Sequence, residues 1–143
     1  MSILKNIVAA ALASSLVCSA ASAVADVVAV VSATSPINAL TKTQVTDIFL
    51  GRANRFPDGT PAVPIDQSEG TAVHAEFYAS FAGRTPAQIK AYWSRIIFTG
   101  RGQPPKTVSN DSELKRLLAN DPRAIGYIDR SALDGSVKVL SSP

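Results

Sequence analysis

The chain has 143 residues, 46% of them hydrophobic and 17% charged, with 14 Lys plus Arg against 11 Asp plus Glu. That length gives one domain rather than two, and the composition excludes a disordered or fibrous chain. A net charge of +3 is too slight to hold nucleic acid, which needs clustered phosphate contacts, and a single His, Cys and Met leave little material for a metal site or a cofactor.

The first residues read as a cleavable secretory signal peptide over 1–25. Lys5 supplies the charge, Ile7–Val17 the apolar run, and Ser19–Ala25 the small residues. The apolar run is too short for a transmembrane helix, which needs about 20 residues. Cleavage fits after Ala23 or, preferably, after Ala25, just before the polar Asp26. A lipid anchor on Cys18 is not expected, because β-branched Val17 precedes it where a small residue is needed. Cleavage removes the lone cysteine, so residues 26–143 must fold without a disulfide. No second hydrophobic segment follows, so the expectation is a periplasmic or secreted protein with no stable membrane insertion.

Asp26–Ser32 is a β-branched run that predicts a strand buried on both faces, as in a parallel sheet. Thr41-Lys-Thr-Gln44 has capping-box spacing and opens a short helix to about Leu50, which Gly51 ends. A second strand is predicted over Ala62–Ile65 and a helix from about Thr71 to Phe81. Thr85-Pro86 starts a third helix, whose apolar face is Ile89, Tyr92, Trp93, Ile96 and Ile97. Phe98–Pro105 reads as a Gly/Pro loop, Asn110–Asn120 as a fourth helix, and Ala124–Ile128 and Val137–Leu140 as strands. Four strands interleaved with four helices predict an α/β domain whose small, mostly parallel sheet is flanked by helices. Such sheets bind ligands beyond the carboxyl ends of their strands.

Three segments could carry binding. Ser68-Glu69-Gly70-Thr71 follows a strand and opens a helix, where free amides and the Ser68 and Thr71 hydroxyls suit an oxyanion; Gly70 lets the backbone approach it. The ordinary reading is a helix start that caps itself, and Glu69 would repel an anion. Arg101 stands between Gly100 and Gly102, free to project a bidentate fork; the competing reading is a solvated loop arginine. Thr34 and Ser35 follow the first strand, where an ordinary polar loop is the plainer reading. Catalysis is not expected. His74 is the only histidine, a Ser68–His74 pair lacks a nucleophile elbow and a third partner, and His74 and Glu76 face different directions on a helix.

Asp47-Ile-Phe-Leu-Gly51 followed by Arg55-Phe-Pro-Asp-Gly59, Ser68-Glu-Gly-Thr71 and Ala124-Ile-Gly-Tyr127 resemble, in order, segments of phosphate ABC transporter substrate-binding proteins. Tyr92-Trp93 and Phe98–Pro105 look like the short, single-domain branch of that superfamily. The resemblance implies a single periplasmic-binding-protein-like lobe and recognition of phosphate or a similar oxyanion without chemistry. It also implies an ABC permease or another periplasmic protein as partner. The likeness carries over Gly70 and Thr71 but not the family's phosphate-loop arginine, whose position is Ile65, nor its serine, which is Glu69. Full members are more than twice this length. The alternative is therefore a ligand-free interaction module that completes its missing lobe with a partner or as a homodimer.

Overall fold

The computed structural model describes residues 25–143. The expected signal peptide, Ala25 excepted, lies outside them, as do Ala23 and Cys18. Strand β1 (Val27–Ser32) is wholly buried. Helix α1 (Lys42–Phe49) opens with the expected reciprocal cap: the Gln44 amide donates to Thr41 Oγ1 at 3.1 Å, and the Thr41 amide to Gln44 Oε1 at 2.9 Å. Val45, Ile48 and Phe49 form its buried face. Gly51 ends it at φ +71, and a methyl there would lie 3.1 Å from the Trp93 ring, so backbone and packing both call for glycine.

Strand β2 (Val63–Gln67) leads to α2 (Ala72–Phe77), which runs on into a π-helical turn, Tyr78–Ala82. Helix α3 (Pro86–Phe98) starts at a Thr85 capping box with Pro86 in its first turn. Strand β3 (Lys106–Val108), helix α4 (Asp111–Asn120), strand β4 (Ala124–Asp129), a 3-10 turn (Arg130–Ala132) and strand β5 (Val137–Ser141) complete the chain. Asn110 caps α4 by accepting from the Glu113 amide at 2.9 Å.

The α/β class holds, with five strands in the order β3-β2-β4-β1-β5. The sheet is mixed: β2, β3, β4 and β5 run in one direction and β1 runs against them. β2 runs parallel to β3 and β4, whereas β1 runs antiparallel to β4 and β5. The β1 run correctly signals burial on both faces, but such a run reports nothing about the direction of its partners. Val27, Ala29 and Val31 join Ile125 and Tyr127 in a core under α1, α2 and α3. Val28 and Val30 join Ala124, Ile128 and the α4 residues Leu114 and Leu118 on the other face. The strand directions matter for function. The carboxyl ends of β2, β3 and β4 share one edge of the domain, and that of β1 lies at the opposite edge.

Candidate functional site

The carboxyl end of β2 holds a buried carboxylate. Asp66 Oδ2 accepts from the Tyr78 hydroxyl at 2.6 Å, and Oδ1 accepts from the Gln67 amide at 2.8 Å and from the Tyr127 hydroxyl. Burial raises the Asp66 pKa above the usual carboxylate value; the Tyr127 and Tyr78 hydrogen bonds and the nearby His74 act in the opposite direction. Burial, reinforced by Asp66, pushes both phenols well above their ordinary value, so each keeps its proton and donates. Gln67 extends the network, its Nε2 donating to Asp111 at 2.6 Å and to the Tyr127 carbonyl at 2.9 Å. β2, β4, α4 and the π turn thus meet in one satisfied polar knot.

The next residues turn the chain into α2. The Ser68 hydroxyl donates to the Val108 carbonyl at 3.0 Å. Thr71 Oγ1 donates to the Ser68 carbonyl at 2.9 Å and accepts from the His74 amide at 3.2 Å. Both hydroxyl protons are therefore engaged by the fold itself. The amides are another matter: those of Gly70, Ala72 and Val73 have no acceptor among the described residues, as the geometry of a helix start dictates. Gly70 sits at φ +92 with open space where a Cβ would be. Glu69 is exposed beside them.

Next to this turn is a cleft of about 260 Å³ between the β2 end and one face of α3. Asp66, Gln67, Glu69 and His74 line one side, and Lys90, Trp93 and Ser94 line the other. His74 Nδ1 and Trp93 Nε1 are buried without a hydrogen-bond partner. The Trp93 N–H can only donate. The cleft itself presents one lysine, set against two carboxylates. In the sequence Trp93 reads as part of an apolar helical face, and Asp66 belongs to no recognisable motif. The signal available was a carboxylate abutting an apolar strand; the tyrosines that satisfy it are too distant in sequence to be paired by inspection.

The expected binding residues fall in three places. Ser68, Gly70 and Thr71 form the β2–α2 turn. Thr34 and Ser35 lie at the opposite edge, beyond β1; Thr34 Oγ1 pairs with Ser32 Oγ at 2.9 Å, and Ser35 Oγ accepts from the Ile37 amide at 3.2 Å. Arg101 lies in a groove along the other face of α3, with Arg52, Tyr92 and Arg95. The structure brings neither Arg101 nor the Thr34–Ser35 pair to the turn. Ser68 points its hydroxyl at Val108, not at His74. Among the described residues no group of three or more His, Cys, Asp or Glu side chains is placed to hold a metal ion.

The chain matches no protein-family description and no curated protein sequence. Its fold does match solved structures. A phosphate ABC transporter substrate-binding protein from Clostridium perfringens with bound phosphate superposes with a TM-score of 0.65 at 19% identity, over 82% of this chain and 44% of that one. An ABC-type phosphate transport receptor from Vibrio cholerae gives 0.64 at 17%, over 82% and 46%. PstS from Borrelia burgdorferi gives 0.61 at 13%, over 82% and 47%. The domain therefore has the fold of part of these binding proteins, and the chain spans less than half the length of each.

Proposed function

We propose that this chain is an exported solute-binding domain that takes up phosphate or a similar small oxyanion at the β2–α2 turn, without chemistry. The observation that carries this reading is the turn itself: Gly70, Ala72 and Val73 present amides with no internal acceptor at the carboxyl edge of the parallel strands. The fold neighbours are described as phosphate-binding proteins of ABC transporters, which supports the ligand class and a permease or periplasmic protein as partner. Export rests on the signal-peptide pattern of residues 1–25; no helix among the described residues is long and apolar enough to cross a membrane.

Calorimetry on residues 26–143 at low salt tests it, with phosphate, sulfate and acetate as titrants. Phosphate should bind with a measurable heat. Glu69→Gln should tighten binding by about fivefold, because one like charge at close range in a solvated site is worth about 1 kcal/mol. No heat at millimolar phosphate would sink the proposal. A second reading, an interaction module that has kept the fold and lost the ligand, is favoured by the internal engagement of the Ser68 and Thr71 hydroxyls. It expects a dimer or a partner complex by light scattering in place of phosphate binding.

A further inference from the structure

The groove that contains Arg101 is a separate feature. Two adjoining hollows of about 610 and 550 Å³ run along α3 and share Arg52, Tyr92 and Arg95. Arg84 lines the first and Arg101 the second, and no carboxylate lines either. Four guanidiniums therefore converge in a chain whose whole net charge is +3. Arg52 has a carboxylate within reach, Asp47 at 3.7 Å. Arg84 stacks over the Tyr92 ring at 5.2 Å. Arg95 and Arg101 form no ion pair among the described residues. The floor is fixed, because the Tyr92 hydroxyl donates to the Leu50 carbonyl at 2.6 Å.

Gln88, Tyr92 and Arg95 follow helical spacing along one stripe of α3, the stripe that lines these hollows. Phe98 is 92% exposed and its neighbour Ile97 is 48% exposed. Phe98 lines neither hollow, and Ile97 lines the cleft on the opposite side of the helix.

We propose that this face of α3 docks an extended acidic segment of a partner protein, its carboxylates on Arg52, Arg95 and Arg101. Charge complementarity selects an acidic occupant, and an all-arginine lining suits paired, planar carboxylates better than isolated point charges. Concavity favours a strand of peptide over a bilayer surface. A nucleic acid would need more clustered phosphate contacts than four arginines, one of them paired with Asp47, supply. Thirteen helical residues span about 20 Å, the reach of about six extended residues. The inference does not depend on oxyanion binding, since the groove shares no residue with the β2–α2 turn.

Fluorescence anisotropy tests it with a labelled synthetic peptide of alternating Glu and Leu long enough to span α3. The parent should bind, and more weakly as salt rises from about 0.02 to about 0.5 M. The double variant Arg95→Gln/Arg101→Gln should lose at least about tenfold in affinity, as expected for two charge-assisted contacts. The charge-matched control Lys106→Gln/Arg116→Gln should stay within about twofold. Arg95→Lys/Arg101→Lys should recover part of the loss. Circular dichroism confirms that each variant is folded. Equal weakening in the control would overturn the proposal, as would unchanged binding in the glutamine double variant. So would displacement of the peptide by millimolar inorganic phosphate, or binding to phosphatidylglycerol vesicles without binding to the peptide. Failure of phosphate calorimetry leaves these readouts intact, which keeps the two proposals separable.

Discussion

Asp66 is the residue on which the site end of the sheet turns. Its carboxylate is buried, and burial raises its pKa above the usual value. The folded state therefore holds that proton more tightly than the unfolded state does. The group's stabilising contribution is full below the unfolded pKa and is lost as pH rises through the folded one. Asp58, Asp121, Asp129 and Asp134 are all lowered, chiefly by hydrogen bonds from Thr60, Arg123, Ser131 and Lys115 respectively. Their contributions run the other way: present above the unfolded pKa and lost as pH falls. Asp66→Asn should therefore gain on the parent in unfolding free energy as pH is raised from about 4 to about 7, read by urea denaturation at a series of pH values. A difference that does not change with pH would show that Asp66 titrates alike in both states. Nothing local in the sequence signals this network, because Tyr78 and Tyr127 lie 12 and 61 residues from Asp66.

At the scale of elements, the sequence carries local signals plainly and tertiary ones hardly at all. Thr41–Gln44, Thr85-Pro86 and Asn110 mark helix starts that the structure reproduces, because capping depends on residues three positions apart. Val73, Phe77 and Phe81 repeat every four positions, slightly long for an α-helix. The structure absorbs that excess in the π turn, which keeps the Phe77 and Phe81 rings 4.8 Å apart. β3 went unread because it is three residues at the end of a Gly/Pro loop, and only pairing with β2 makes it a strand. The separation of Arg101 from the β2–α2 turn was equally invisible, since it depends on which face of α3 each packs against.

The contact of β4 with α4 gives a test at the same scale. A methyl at Gly126 would lie 2.6 and 2.7 Å from the two δ carbons of Leu114, itself fully buried. Gly126→Ala should cost about 1–3 kcal/mol by overpacking, visible as a lower urea midpoint at unchanged slope. Adding Leu114→Ala should cost less than the sum of the two single changes, because the smaller side chain removes the clash. Strict additivity would mean that the helix shifts away instead.

For the molecule as a whole, the domain's first residues are tied to its last elements. Asp26 pairs with Arg130 at 2.8 Å through its carboxylate, and the Arg130 amide donates to the Asp26 carbonyl at 2.7 Å. Partly buried Ala25 packs on the core. An exported chain cut after Ala25 would keep the Asp26 contacts, so the intact mass of the secreted protein should correspond to residues 26–143. A mass that retains the first 25 residues would overturn the proposed cleavage. The two-faced burial of β1 was legible in its β-branched run; its place between β4 and β5 was not, because those partners lie about a hundred residues downstream.

That placement has a consequence for the order in which the molecule assembles. Among the described residues the first strand pairs only with strands in residues 124–141, so the sheet cannot close until those residues are present. Loop closure over such a separation is slow compared with helix formation. A chain delivered amino end first therefore stays open until residues 124–141 arrive. Under the export proposed here, strand order acts as a timer that holds off folding during passage and releases it on the far side.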